Sequence, residues 1–134
     1  MVVLRTLLVF LVFFPLNACY ITGELPKDET ALLTEKVWTF DSLIGYDDFG
    51  IQLELALNEK MTYSFNKNGI CTIVALGVSR ENVWEFNNDK TIVIINPGQA
   101  YAQEWNIISL SETELVVSFE DADALNGTVI WTFN

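Results

Sequence analysis

The stretch Met61-Thr62-Tyr63-Ser64-Phe65-Asn66-Lys67-Asn68-Gly69-Ile70-Cys71-Thr72-Ile73 reads as a β-hairpin, and that reading decides the fold of this 134-residue chain. Met61, Tyr63 and Phe65 fall on one face of an extended segment, while Thr62, Ser64 and Asn66 fall on the other. This alternation of period two marks a half-buried strand. Asn66-Lys67-Asn68-Gly69 supplies turn chemistry, because Asn and Gly accept the positive φ that a hairpin turn needs. The chain then returns along Ile70 to Gly77.

The same grammar repeats on both sides. Toward the C-terminus, Val83-Trp84-Glu85-Phe86 is followed by a turn over Asn87–Lys90 and a strand over Thr91–Ile95, ended by Pro97-Gly98. A long strand over Tyr101–Leu110 turns at Ser111-Glu112-Thr113 and runs back along Glu114–Phe119. A polar loop, Glu120–Gly127, precedes a final strand over Thr128–Phe133. Toward the N-terminus, Ile51–Leu57 fits a strand by alternation and a helix by its i,i+4 leucines, so both stay open. Gly45–Gly50 is an acidic loop carrying Asp47 and Asp48, and Val37–Ile44 is strand-like. Asp28–Lys36 suits about two helical turns, with Asp28 or Thr30 as the cap and Leu32 and Leu33 turned toward the sheet. Short strands with turn signals about every 8–12 residues predict an all-β domain. Local hairpins throughout favour an antiparallel up-and-down meander closing into a barrel, which removes the edges that invite aggregation.

The first residues carry a different message. Arg5 is the only charge before Glu24, and Thr6–Leu16 (TLLVFLVFFPL) is an apolar run closed by small residues. A basic start, an apolar run of about 7–15 residues and a small residue at the cut site describe a secretory signal. A membrane-spanning helix needs about 20 apolar residues, more than this run offers. Leu16, Ala18 and Cys19 resemble the lipobox of bacterial lipoproteins, although Pro15 and Asn17 are unusual there. The resemblance implies acylation of Cys19 and cleavage before it. The expected organisation is a signal peptide over 1–18, a tether and short helix over 19–32, and a β-barrel over 33–134. Tyr20 rather than aspartate after the cysteine favours the outer membrane of a Gram-negative cell by the enteric sorting rule.

Composition removes whole classes of function. Seven Lys and Arg stand against eighteen Asp and Glu, giving a net charge of −11, and −12 once Arg5 leaves with residues 1–18. Such a surface repels nucleic acid. The chain has no histidine, which excludes Ser-His-Asp and Cys-His catalysis and HExxH zinc sites. The two cysteines are Cys19 and Cys71; if Cys19 carries lipid, no disulfide framework exists. Cys71 lacks a local base or cation and reads as a buried, inert strand residue. Asp47-Asp48 and Glu120-Asp121-Ala122-Asp123 offer hard oxygen ligands, but their spacing fits no EF-hand, and solvated loop charge is the favoured reading. No metal, cofactor or catalytic residue is expected.

Four stretches together resemble the lipocalin-like domain of small secreted lipoproteins in Gram-negative bacteria. They are Leu33–Trp38 (LTEKVW), Tyr63–Gly69 (YSFNKNG), Val83–Phe86 with Asp89–Ile92, and Trp105–Val116 (WNIISLSETELV), in the expected order. Glu35 and Asn82 depart from that pattern, standing where glycine is common. The resemblance implies an eight-stranded calyx and carries over no catalytic residues.

The inward aromatics are the candidate binding set: Tyr63, Phe65, Trp84, Phe86, Trp105 and Trp131. An eight-stranded barrel is just wide enough to be filled by side chains or to hold one small ligand. If the rings interdigitate fully they are core, the favoured reading for so short a domain; if they stop short of one end, the mouth becomes an apolar pocket. The functional expectation is therefore a non-enzymatic, lipid-anchored envelope protein. Its partner is a small apolar ligand or, with a plugged barrel, another envelope protein.

Overall fold

The computed structural model describes residues 27–46, 49–55, 60–121 and 127–134. The signal segment, Cys19, Asp47, Asp48 and residues 122–126 lie outside them. The described chain is one short helix, α1 (Glu29–Thr34), and nine strands. These are β1 (Val37–Tyr46), β2 (Gln52–Leu55), β3 (Thr62–Phe65), β4 (Ile70–Ala75), β5 (Val78–Phe86), β6 (Ile92–Ile95), β7 (Gln103–Leu110), β8 (Leu115–Asp121) and β9 (Gly127–Phe133).

Every pairing is antiparallel, and β1 pairs with β9 to close the sheet. Nine strands make an eight-position barrel because β2 and β3 share one edge of β1. Leu43–Tyr46 pair with β2, Val37–Thr39 pair with β3, and β9 takes the opposite edge from Phe40 to Gly45. The predicted meander barrel is thus the observed fold, and in the ambiguous Ile51–Leu57 segment Gln52–Leu55 form a strand rather than a helix, with residues 56–59 outside the described ones.

Alternation assigns the interior. Trp38, Phe40, Tyr63, Phe65, Cys71, Trp84, Val93, Trp105, Leu115, Val117 and Phe133 are buried and form one core cluster. Their rings interlock edge to face, with Tyr63–Trp105 centroids 5.1 Å apart, Phe65–Trp84 5.3 Å and Phe119–Trp131 5.0 Å. Such T-shaped pairs add about 0.5–1.5 kcal/mol each beyond area burial.

Helix α1 stoppers one end. The Asp28 carboxylate accepts from the Ala31 N–H at 2.7 Å, completing the N-cap that the sequence suggested. Leu33 is fully buried, and its carbonyl accepts the indole N–H of Trp38 at 2.9 Å. Lys27 bridges Glu35 and Glu112, and Lys90 pairs with Asp28, tying the helix to two turns at this end. The hairpin turns at residues 66–69, 87–91 and 111–114 lie here, while the β4–β5 turn and the β6–β7 loop lie at the other, open end.

Two boundaries differ from the sequence reading. Strand β5 begins at Val78, five residues before the expected Val83, because Leu76-Gly77 makes a two-residue turn that pairs Ala75 with Val78. Both turn residues have positive φ, 54° and 73°, as a type I′ hairpin demands. Leucine is a poor residue for that conformation, so the turn is invisible to turn statistics. Strand β1 runs on to Tyr46 through residues expected in a loop, held by partners on both edges.

Candidate functional site

A cavity of about 470 Å³ opens at the end opposite α1. That falls within the roughly 300–1,000 Å³ of small-molecule sites. Its floor is Tyr63, Ile73, Ile95 and Trp131, the upper layer of the aromatic core. Its walls come from β4 and β5 through Ala75, Val78, Arg80 and Asn82, and from the β6–β7 side through Asn96, Tyr101 and Gln103.

The register explains why these residues face inward. Ile73, packed against the core, pairs with Arg80, and buried Cys71 pairs with Asn82. Paired residues share a face, so Val78, Arg80, Asn82, Trp84 and Phe86 form one inward row along β5. Across the barrel, buried Ile95 pairs with Gln103, which puts Gln103 in the inward row, exposed at the rim. The outward positions of the same strands carry Glu81, Glu85 and Glu104.

Asn96 fastens this wall. It sits at φ 55° after β6, its N–H donates to the Val83 carbonyl at 2.8 Å, and its side-chain oxygen accepts the Val83 N–H at 3.3 Å. Its amide nitrogen donates to the Asn82 side-chain oxygen at 3.0 Å. The loop beyond continues through two turns, Gln99 N–H to Asn96 carbonyl and Ala102 N–H to Gln99 carbonyl, which presents Tyr101 at the rim. The bridge between Asn82 and Asn96 spends one side of each amide and leaves the Asn82 NH₂ group without a partner among the described residues.

The floor is weakly polar. The Tyr63 hydroxyl donates only to the Met61 sulfur, at 3.7 Å, and burial pushes its pKa well above the usual phenol value. Burial likewise pushes the Cys71 thiol up to about 12, so it stays protonated and unreactive at neutral pH. The indole N–H groups of Trp105 and Trp131 are buried with no acceptor among the described residues.

The aromatic candidates divide. Tyr63 and Trp131 line the cavity, with ring centroids 6.2 Å apart. Phe65, Trp84 and Trp105 lie in the packed core beneath, and Phe86 packs against Trp84 at 5.3 Å, deeper toward the closed end. The wall residues Arg80, Asn82 and Gln103 were not singled out from sequence. Period two was the available signal: counting back from Trp84 along β5 reaches Asn82, Arg80 and Val78. Among the described residues no three His, Cys, Asp or Glu side chains converge as a metal site requires. No described helix is long and apolar enough to cross a membrane.

No family model, curated protein or solved structure matches the chain.

Proposed function

We propose that this protein is a lipid-anchored, non-enzymatic binding barrel of the bacterial cell envelope, lipocalin-like in kind, that takes a small ligand with an apolar body at its open end. The observation that carries the reading is the 470 Å³ cavity seated on Tyr63 and Trp131. The aromatic plug stops there, and the inward positions above it are small, polar or at the rim. A barrel built only as an interaction scaffold has no use for that hollow, so a ligand is favoured over the plugged alternative.

The anchor belongs to the same proposal. Two or three acyl chains on Cys19, each buried CH₂ contributing about 0.8 kcal/mol, hold a soluble domain at a membrane. Seven residues lie between Cys19 and Lys27, and the eight Cα–Cα steps reach at most about 28 Å. Lys27 is tied to Glu35 and Glu112 at the helix end. In this reading the anchor joins the domain at its closed end, which leaves the cavity free to face water.

Two measurements test this. Native mass spectrometry of protein purified from its own membrane is expected to show a stoichiometric small-molecule adduct, and a clean apo mass counts against ligand binding. Mass spectrometry of the mature N-terminus is expected to show acylated Cys19, abolished in Cys19→Ser; an unmodified wild-type N-terminus removes the anchor.

A further inference from the structure

We propose that the ligand is an amphipathic carboxylate, with its apolar body on the Tyr63–Trp131 floor and its carboxylate on the guanidinium of Arg80. The inference rests on the open end being a ligand site, and it names the chemistry that site selects.

Arg80 carries the argument. Pairing with Ile73 puts it in the inward row of β5, where it lines the cavity at the exposed rim. Arg80 is exposed at that rim, so its guanidinium is open to an anion arriving from solvent. Among the described residues no carboxylate pairs with Arg80. The acids nearest to it in sequence on this wall, Glu81 and Glu85, take the outward positions of the strand.

The neighbours of Arg80 complete an anion-accepting rim. The Asn82 amide nitrogen is unspent, and its oxygen is already committed to Asn96, so Asn82 offers the cavity a donor. Gln103 adds a second amide, across the barrel. A guanidinium presents two parallel N–H groups that match a carboxylate. A neutral ligand forgoes that contact, and a cationic head would meet like charge.

The overall charge of −11 does not oppose this. At physiological ionic strength the screening length is about 8 Å, so remote carboxylates are damped while a contact partner is not. Global charge lowers the encounter rate with an anion; the bound state is decided by Arg80.

The test uses the mature chain carrying Cys19→Ser, so that no acyl chain competes for the cavity, in calorimetric titrations with laurate, dodecanol and dodecylamine. These probes share one chain and differ in the head. Laurate is expected to bind about tenfold more tightly than dodecanol, the size of one charge-assisted hydrogen bond, and dodecylamine to bind most weakly. Arg80→Gln is expected to bring laurate down to dodecanol without changing dodecanol itself, and Arg80→Lys to keep part of the preference. Equal binding of laurate and dodecanol, a preference for dodecylamine, or a laurate preference that survives Arg80→Gln would overturn the carboxylate assignment while leaving the cavity as a ligand site. Failure of all three probes to bind would overturn both.

Discussion

Trp38 and Trp105 are both fully buried in one core, yet their indole N–H groups have opposite fates. Trp38 donates to the Leu33 carbonyl at 2.9 Å, whereas Trp105 has no acceptor among the described residues. Replacing each with Phe makes a controlled pair, because the loss of ring volume is the same and cancels in the comparison. Trp38→Phe leaves the buried Leu33 carbonyl unpaired, a cost of about 1–3 kcal/mol. Trp105→Phe removes an unsatisfied buried donor and recovers a similar quantity. The two variants should therefore differ by about 3 kcal/mol, with Trp38→Phe the less stable, which corresponds to roughly 10 °C in Tm for a domain of this size. Urea unfolding followed by far-UV circular dichroism measures the gap without depending on tryptophan emission. Equal losses, or a larger loss for Trp105→Phe, would refute the reasoning and mean that the Trp105 N–H is satisfied inside the barrel. Trp38→Phe should also loosen α1, whose docking depends on the same bond, so amide exchange around residues 29–34 should rise in that variant only.

Three further outcomes follow from the same physics. Leu76→Asn should stabilise the barrel by about 1 kcal/mol in urea unfolding, because Asn-Gly suits a type I′ turn and Leu at φ 54° does not; an unchanged midpoint would show that the turn carries no strain. The Cys71 thiol, raised by burial from an ordinary 9.0 to about 12, keeps its proton in the folded state while the unfolded thiol ionises. Its contribution is intact below pH 9 and declines as pH rises toward 12, at up to about 1.4 kcal/mol per pH unit; Cys71→Ala should flatten that decline, and Cys71 should react with a thiol reagent only after unfolding. At the other extreme, the Ala31 N–H and then Lys90 hold Asp28 below its ordinary pKa, and the hydrogen bond from Lys27 holds Glu35 below its own. Depressed carboxylates stabilise above their unfolded pKa values of 3.8 and 4.5 and cease to as pH falls through the folded ones, so the helix end should loosen first in acid, less steeply in Asp28→Ala.

Much of this architecture was legible because hairpins write themselves locally. Tyr63 and Phe65 alternate with polar residues, Asn66–Gly69 spells its own turn, and Asp28 sits where a cap belongs. The closing pair β1–β9 joins residues almost a chain length apart, and only the absence of crossover connections pointed to it. The site was harder to see. Large rings advertise burial, so Phe65, Trp84 and Trp105 drew attention as ligand contacts when their size is what fills the core. The cavity walls are made by residues whose types look like surface, Arg80, Asn82 and Gln103, and their inward placement depends on register. That register follows from the Leu76-Gly77 turn, which puts a leucine where asparagine or glycine is expected. Starting the strand only at Val83 hides the parity that turns Arg80 inward.

The two ends of the barrel are built from different residues along the same strands. On β5 the inward row runs Phe86 and Trp84 at the helix end, then Asn82, Arg80 and Val78 toward the mouth. On β7 it runs from Ile107 and Trp105 to Gln103, and on β4 from Cys71 and Ile73 to Ala75. Side-chain volume falls or polarity rises at the same level on each of these strands, so the hollow is a layer rather than a packing fault at one residue. Stability is concentrated below that layer, in the ring cluster and in α1, whose Leu33 covers the barrel end where an open rim would expose Trp38 and Phe65. With one end sealed by a helix and interlocked rings, the opposite end can carry small and polar residues without losing the fold. Substitutions at the exposed Arg80 and Gln103 should therefore have little effect on stability, whereas substitutions at Trp38 or Phe65 act on the barrel itself.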